Sequence, residues 1–202
     1  MASLGAKVMQ PASIQEARLN RIEIDVRSTF TKTAGTTITK KKNILNNNTI
    51  RGISFTRNDA KLTLIGVKDK PGIAASIFKP LSKNYINVDM VVQNISADGN
   101  ETDLTFTIKS EDVKKTKKLL KQNRKIKFKN LIIDKGVSKV SIIGVGMITT
   151  PGVTYRMFQA LSKRNINILV ISTSEIKISV LISKKHVVKA ISALHKEFKL
   201  DK

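Results

Sequence analysis

The stretch IGVKDKPGIAASIFKPLSKNYIN, residues 65–87, returns at residues 143–167 as IGVGMITTPGVTYRMFQALSKRNIN. From Pro71-Gly72 to Ile86-Asn87 the offset to the second copy is a constant 80. Before Pro-Gly it is 78, so the second copy carries two extra loop residues. A period this long marks a duplicated small domain, because solenoid units run to about 20–50 residues. Two like domains can stack and leave matching clefts between them, so chemistry is sought first in the repeated loops.

Working outward from the repeat, residues 61–67 read as a strand and Pro71-Gly72 opens a helix to about residue 84, since Pro is favoured in a first helical turn. Residues 88–96 and 104–108 read as strands around the turn residues Asp98-Gly99-Asn100. Ser110 is expected to cap a helix over 111–123, and 128–134 is a fourth strand. The order βαββαβ predicts an α+β, ferredoxin-like module with an antiparallel sheet and helices on one face. The second copy reads as strand 139–145, helix 153–164, strands 168–174 and 177–182, and helix 186–198. Too little chain then remains for a fourth strand, whereas the first copy has a spare one at 50–56. The expectation is that this spare strand crosses over and completes the second sheet. Upstream, Ser13 is read as the cap of a short helix over 14–20, 22–30 as a half-buried strand, and 31–49 as a Thr-, Lys- and Asn-rich linker with a short strand near 36–39. The division is thus 1–49, 50–135 and 136–202.

Composition bounds the function. The 202 residues have room for a sizeable core, aromatics are few, and the absence of Cys removes disulfides, thiolate metal sites and Cys nucleophiles. No run approaches the ~18 apolar residues of a membrane span, and MASLGAKVMQ lacks the basic and long apolar regions of a signal peptide, so a cytoplasmic protein without a membrane partner is expected. The formal charge of +22 invites a nucleic-acid reading. Yet 29 of the 37 basic residues are Lys, alongside abundant Ile and Asn, a profile that biased codon supply also produces. The densest run, Lys114 to Lys129, has the period of a helix's solvent side, and no aromatics interleave it for base stacking. A basic nucleic-acid-binding protein is therefore the weaker alternative.

Catalytic chemistry finds little support. His186 and His195 are nine residues apart on one expected helix, two and a half turns, so they face apart and make a poor metal pair. No nucleophile elbow, Ser-His-Asp context or Walker loop is present, and Gly144-x-Gly146 is only half of a dinucleotide fingerprint. No catalytic and no metal-binding residue is assigned. The strand-to-helix loop Lys68-Asp69-Lys70-Pro71-Gly72-Ile73-Ala74 is the better candidate. Free N–H groups at a helix N-terminus attract a carboxylate, and Asp69 or Asp89 could hold an ammonium, which together would receive a free amino acid. The bland alternative is that Pro-Gly only punctuates a helix and Asp69 only caps it. The polar runs 93–96 and 172–175 sit on equivalent strands and are either part of such a site or the wet edge of each sheet.

The segments GVKDKPGIAASIF, INVDMVVQNIS, TDLTFTI, IGVGMITTPGV, ISTSEIKISVLI and ALHKEF resemble the paired ACT domains at the C-terminus of aspartokinase, over roughly residues 50–200. MASLGAKVMQPASIQEA and VRSTFTKTAGTTIT resemble the end of that family's kinase domain and its exit strand. The resemblance implies an allosteric, amino-acid-binding portion of the enzyme that converts ATP and L-aspartate to 4-phospho-L-aspartate in lysine, threonine and methionine synthesis. It implies L-lysine or L-threonine as effector, a homodimer through the ACT modules, and a catalytic aspartokinase chain as a further partner. The chain lacks the family's nucleotide site, so no cofactor is expected here, ATP and Mg belonging to the kinase domain. A silent dimerisation remnant is the other reading. In the first module the implied effector positions are Asp69, Lys70, Pro71, Gly72, Ile73 and Ala74, then Asn87, Val88 and Asp89, then Gln93. In the second they are Val153 and Thr154, Asn167 and Ile168, and Ser174 and Glu175. The second loop departs from the family with Ile148-Thr149-Thr150 and has no acid matching Asp69, so its cleft is expected to do a different job. QPAS departs from the more usual QPRS or HPRS, which argues against surviving kinase function there.

Overall fold

In the computed structural model, residues 9–39, 49–95, 99–123, 125–147 and 150–200 are described. The linker at 40–48, Asp98 of the expected turn and Ile148-Thr149 of the second loop lie outside them. The chain opens with helix α1 (Pro11–Leu19) and a small hairpin of β1 (Ile24–Val26) and β2 (Thr36–Ile38), paired Ile24 to Ile38. Pro11 occupies the first turn of α1, so the helix starts ahead of Ser13, which does not cap it. The strand expected over 22–30 is confined to the three residues of β1.

Then follow β3 (Gly52–Lys68), α2 (Ile73–Lys83), β4 (Val91–Ile95), β5 (Glu101–Lys109), α3 (Val113–Gln122), β6 (Asn130–Ile143), α4 (Val153–Ser162), β7 (Ile168–Ser174), β8 (Lys177–Ser183) and α5 (Val187–Glu197). Six strands make one antiparallel sheet in the order β4-β5-β3-β6-β8-β7, leaving β4 and β7 as edges. The strands read separately at 50–56 and 61–67 are one 17-residue strand, and those at 128–134 and 139–145 are largely one 14-residue strand. The register shifts between Thr56 and Lys61 instead of breaking. Asp59, buried at this irregularity, accepts from Thr56 Oγ1 and from Lys109 Nζ at 3.1 Å, so a polar stretch passes through the sheet with its charge paired.

Both long strands run from one half of the molecule into the other, and β3 leaves its first part in the second half. Residues 59–68 of β3 lie between β5 and β6, whereas 52–56 pair with β6 alone, Gly52 to Ile143 and Phe55 to Val140. The same part of β6 pairs on its other side with β8, Ile142 to Ile178. Residues 52–56 therefore supply the strand that the second repeat lacks. Ile50, 2% exposed, goes with them into the second core, among Val140, Ile142, Met157, Val180 and Leu194. The chain reaches that position across Gly144, where a Cβ would stand 2.0 Å from Thr49 O. The first core gathers Leu62, Leu64, Ile77, Leu81, Leu104, Phe106 and Leu120.

The helices follow from their apolar spacing. Ile73, Ile77 and Leu81 recur every four residues on α2, and Val113, Thr116 and Leu120 mark the buried stripe of α3. Pro80 within α2 frees the Ser76 carbonyl, and Asn123 Nδ2 donates to it at 3.1 Å. Ser110 opens a 3₁₀ turn before α3 and caps nothing. Lys114, Lys115, Lys117, Lys118 and Lys121 are all exposed on α3, which is the solvated-face reading of that run. Each repeat ends its first helix identically: Tyr85 and Asn165 take φ of 57° and 54°, and the N–H groups of Ile86 and Ile166 return to the carbonyls of Leu81 and Leu161.

The helix-free faces of the two halves turn toward each other. Met90, Val137, Val170 and Leu181 form a small third core there, with Val92 packed against it.

Candidate functional site

At the first strand-to-helix loop the backbone does most of the work. Gly72 takes φ of 85°, a left-handed conformation that ends the loop and excludes it from α2, so the helix starts at Ile73 rather than at Pro71. No side chain caps the helix. Ile73 N–H returns to Lys70 O at 3.1 Å, and Ser76 donates both its N–H and its hydroxyl to Gly72 O. The N–H groups of Ala74 and Ala75 meet no acceptor among the described residues. They form the anion-seeking end of α2. Lys70, Pro71 and Gly72 are exposed around them, and Ile73 is buried as the helix's anchor.

Asp69 stands beside this helix end. Its N–H donates to Asn100 O at 2.9 Å, fixing the loop against β5, and Gln93 Nε2 approaches its Oδ1 to 3.5 Å. Among the described residues no cation pairs with Asp69. Asp69 does not cap α2, so its carboxylate remains available beside the helix end.

Asp89 is elsewhere. It lies two residues ahead of β4 and four before Gln93, about 13 Å of extended chain away, so Asp69 and Asp89 do not converge on one ammonium. Its N–H donates to Thr107 O, and its Oδ2 accepts from Lys139 Nζ. Lys139 lies on β6, with its side chain 7% exposed. A cation that buried requires its partner, so Asp89 is committed in this conformation. Neighbouring Asn87 is exposed, and Val88 packs against the first core. The candidate residues of the first repeat thus divide into an open cluster at α2 and Gln93 and a closed one at Asp89.

The second repeat copies the backbone without the acid. Gly152 takes φ of 87°, Arg156 N–H returns to Gly152 O, and Val153 is buried with Thr154 half-buried beside it. Thr154 N–H meets no acceptor among the described residues. Ser174 Oγ donates to Lys177 O at 3.2 Å and serves its own hairpin, whose exposed turn includes Glu175. Asn167 is exposed, while Ile168 lines a cleft of about 320 Å³ between the halves, opposite Lys61, Val92, Asn94 and Thr105. Sequence reasoning missed Lys139 and Lys61. Their signal was present: they sit at the offset of 78 that relates the two strands.

A larger cavity, about 910 Å³, lies away from these loops, between α1, the β1–β2 hairpin, Arg51 and Val145. Its walls are apolar with Arg18, Arg21 and Arg51, and it contains none of the candidate residues.

The family model for the ACT domain matches residues 62–123 and 140–198, one copy on each repeat. The chain belongs to the ACT domain family. The aspartokinase of Pseudomonas aeruginosa is 44% identical over 204 residues, covering all of this chain and 49% of that protein. The crystal structure of the regulatory subunit of aspartate kinase from Thermus thermophilus, in its ligand-free form, is 34% identical. It aligns with TM-score 0.69 over 74% of this chain and 99% of its own. Aspartokinase III of Escherichia coli, solved in complex with lysine and aspartate, is 25% identical, with TM-score 0.75 over 98% of this chain and 44% of that one. The chain spans about half the length of the curated relatives it matches.

Proposed function

We propose that this chain is the amino-acid-binding regulatory portion of an aspartokinase. The supporting observation is the pairing of an uncapped helix end, the N–H groups of Ala74 and Ala75, with an uncommitted acid, Asp69, and the amide of Gln93. A free L-amino acid carries the complementary pair: a carboxylate for the helix end, favoured by about 0.3–1 kcal/mol or more where water is excluded, and an ammonium for Asp69. L-lysine and L-threonine are the proposed effectors. The lysine in the Escherichia coli structure supports this class of ligand. By favouring one of two arrangements of the ACT modules, the ligand would bias a catalytic portion that makes 4-phospho-L-aspartate from ATP and L-aspartate in the cytoplasm.

The kinase portion would hold ATP and Mg²⁺. Among the described residues of this chain no three His, Cys, Asp or Glu side chains gather as a metal-binding group. Among the described residues no helix is long and apolar enough to cross a membrane. A homodimer through the sheet edges is part of the proposal, supported by exposed Val91 and Ile95 on β4 and exposed Leu169 and Ile171 on β7.

Calorimetric titration with lysine, threonine and methionine tests the reading. Saturable heat with at least one of them, lost in Asp69→Ala, is expected. Absence of heat and of any melting-temperature shift at millimolar ligand refutes amino-acid sensing. Undiminished binding by Asp69→Ala refutes the placement of the ammonium.

A further inference from the structure

Lys61 and Lys139 occupy matching places in the two repeats, and so do Asp89 and Leu169, at the offset of 80. On one side of the joint the buried ammonium of Lys139 meets the carboxylate of Asp89. On the other, the position of that acid is filled by Leu169, and Lys61 lines an open cleft of about 320 Å³ with Leu169, Ile168, Val92 and Thr105. Among the described residues no acid lies within ion-pair distance of Lys61. Two acids are close in the sheet and both are engaged. Asp134, its cross-strand neighbour on β6, accepts from Gly136 N–H at 2.7 Å. Asp59, earlier on β3, is held by Thr56 and Lys109.

We infer that this cleft is a binding site for a small carboxylate with a short apolar body. The repeat shows what the position calls for: where a carboxylate is built into the chain, it pairs with the lysine, and where the chain supplies Leu169 instead, Lys61 is left in a cleft whose walls are Val92, Ile168 and Leu169 on one side and the polar Asn94 and Thr105 on the other. A ligand carboxylate on Lys61 restores the pair, and its hydrocarbon part covers Val92, Ile168 and Ile171. The volume sits at the lower end of small-molecule pockets and has room for such a ligand. The site bridges β4 and β5 of one half to β7 of the other, so its occupant joins the two helix-free faces as the Asp89–Lys139 pair does opposite. It is independent of whatever ligand seats at the N-terminus of α2.

The test is an amide chemical-shift titration of the whole chain with sodium isovalerate, followed at Val92, Asn94, Thr105 and residues 168–171. Controls are isovaleramide, which has the same shape without the charge, and sodium chloride at equal ionic strength. Saturable shifts with isovalerate are expected, with isovaleramide weaker by about tenfold or more, the loss of a charge-assisted contact. Lys61→Met should weaken isovalerate by a similar factor, and Leu169→Asp should abolish binding by supplying the missing acid. No saturable shift, equal binding of isovaleramide, or shifts reproduced by chloride overturn the proposal without recourse to any variant. So does full affinity in Lys61→Met.

Discussion

Ile50→Ala separates a donated strand from a merely adjacent one. Ile50 precedes β3, yet it is 2% exposed within the core of the second repeat, against Val140, Ile142, Met157 and Leu194. Truncation removes the apolar contacts of three carbons and leaves a cavity, a combination that costs about 2–5 kcal/mol for Ile→Ala. The flanking backbone resists collapse. Arg51 N–H is bonded to Ile143 O at 2.7 Å, and Gly144 leaves no slack above Thr49. A loss of about 3 kcal/mol is therefore expected, lowering Tm by about 6–12 °C for a chain of this size. The location of the loss matters more than its size. Hydrogen exchange should accelerate by about a hundredfold at β8 and α5, as far as their openings draw on this free energy. The first repeat keeps β4, β5, 59–68 of β3 and the start of β6, and should retain more of its protection. Ile77→Ala, in the first core, should give the opposite pattern. Were Ile50→Ala to cost less than about 1 kcal/mol, or to deprotect only the first repeat, the donated strand would not carry the second domain's stability.

Three further outcomes follow from particular contacts. Asp89→Ala strands the buried Lys139 and should cost about 2 kcal/mol in denaturant unfolding, below the 3–5 kcal/mol of a fully buried pair because Asp89 is half-exposed; adding Lys139→Met should recover most of it. Gly72→Ala places a side chain at φ of 85°, with open space around it, so about 1 kcal/mol of backbone strain is expected with no change in core packing, read as a lower urea midpoint at constant m. Asp25 accepts from Thr37 Oγ1 at 2.6 Å and from Arg27 Nη2 at 2.9 Å, and the Thr37 bond foremost holds its carboxyl below the ordinary value of 3.8. Its support of the β1–β2 hairpin is thus present above that value and lost as pH falls through the lowered one; the carboxyl carbon should titrate below 3.8 by NMR, and Thr37→Val should move the titration back toward that value while Arg27 still holds it down in part.

The duplication, the element order and the missing strand were legible because each has a strong local signature: repeated Pro-Gly, alternating apolar residues, and too little chain after the last helix. The continuity of β3 and β6 was not. Arg57-Asn58-Asp59 and Lys135-Gly136 look like breaks when only polarity is read, but the exposed ones reach water and Asp59 finds Lys109 across the irregularity. The start of α2 shifted for a backbone reason, since the positive φ of Gly72 belongs to the loop and not to the first turn, whereas the helix expected from 153 begins there. Within the candidate site, the α2 loop was readable from Asp69-Lys70-Pro71-Gly72, whereas the separation of Asp69 from Asp89 depends on where each meets β4. Lys139 escaped because a strand's alternation assigns it to the helix-free face, and that face looks like a wet one until the other half of the sheet is placed against it.

The donated strand also constrains how any signal passes through the molecule. Residues 52–56 belong covalently to β3 and energetically to the second core, while β6 runs on from the first repeat's last strand into the second repeat's first. The second repeat cannot complete its four strands without residues 52–56. A ligand that shifts α2 against β3 therefore acts on a strand whose other end is built into the second half of the sheet. The helix-free joint adds two lateral ties, one made of Asp89 and Lys139 and one left open at Lys61. A joint closed on one side and open on the other can pivot about the closed side, and a coupling free energy between two sites requires two such arrangements that a ligand can distinguish. With a carboxylate seated at Lys61 as proposed, the asymmetry between Asp89 and Leu169 would make them distinguishable. An acid at both positions would fasten both sides and favour one arrangement whatever was bound.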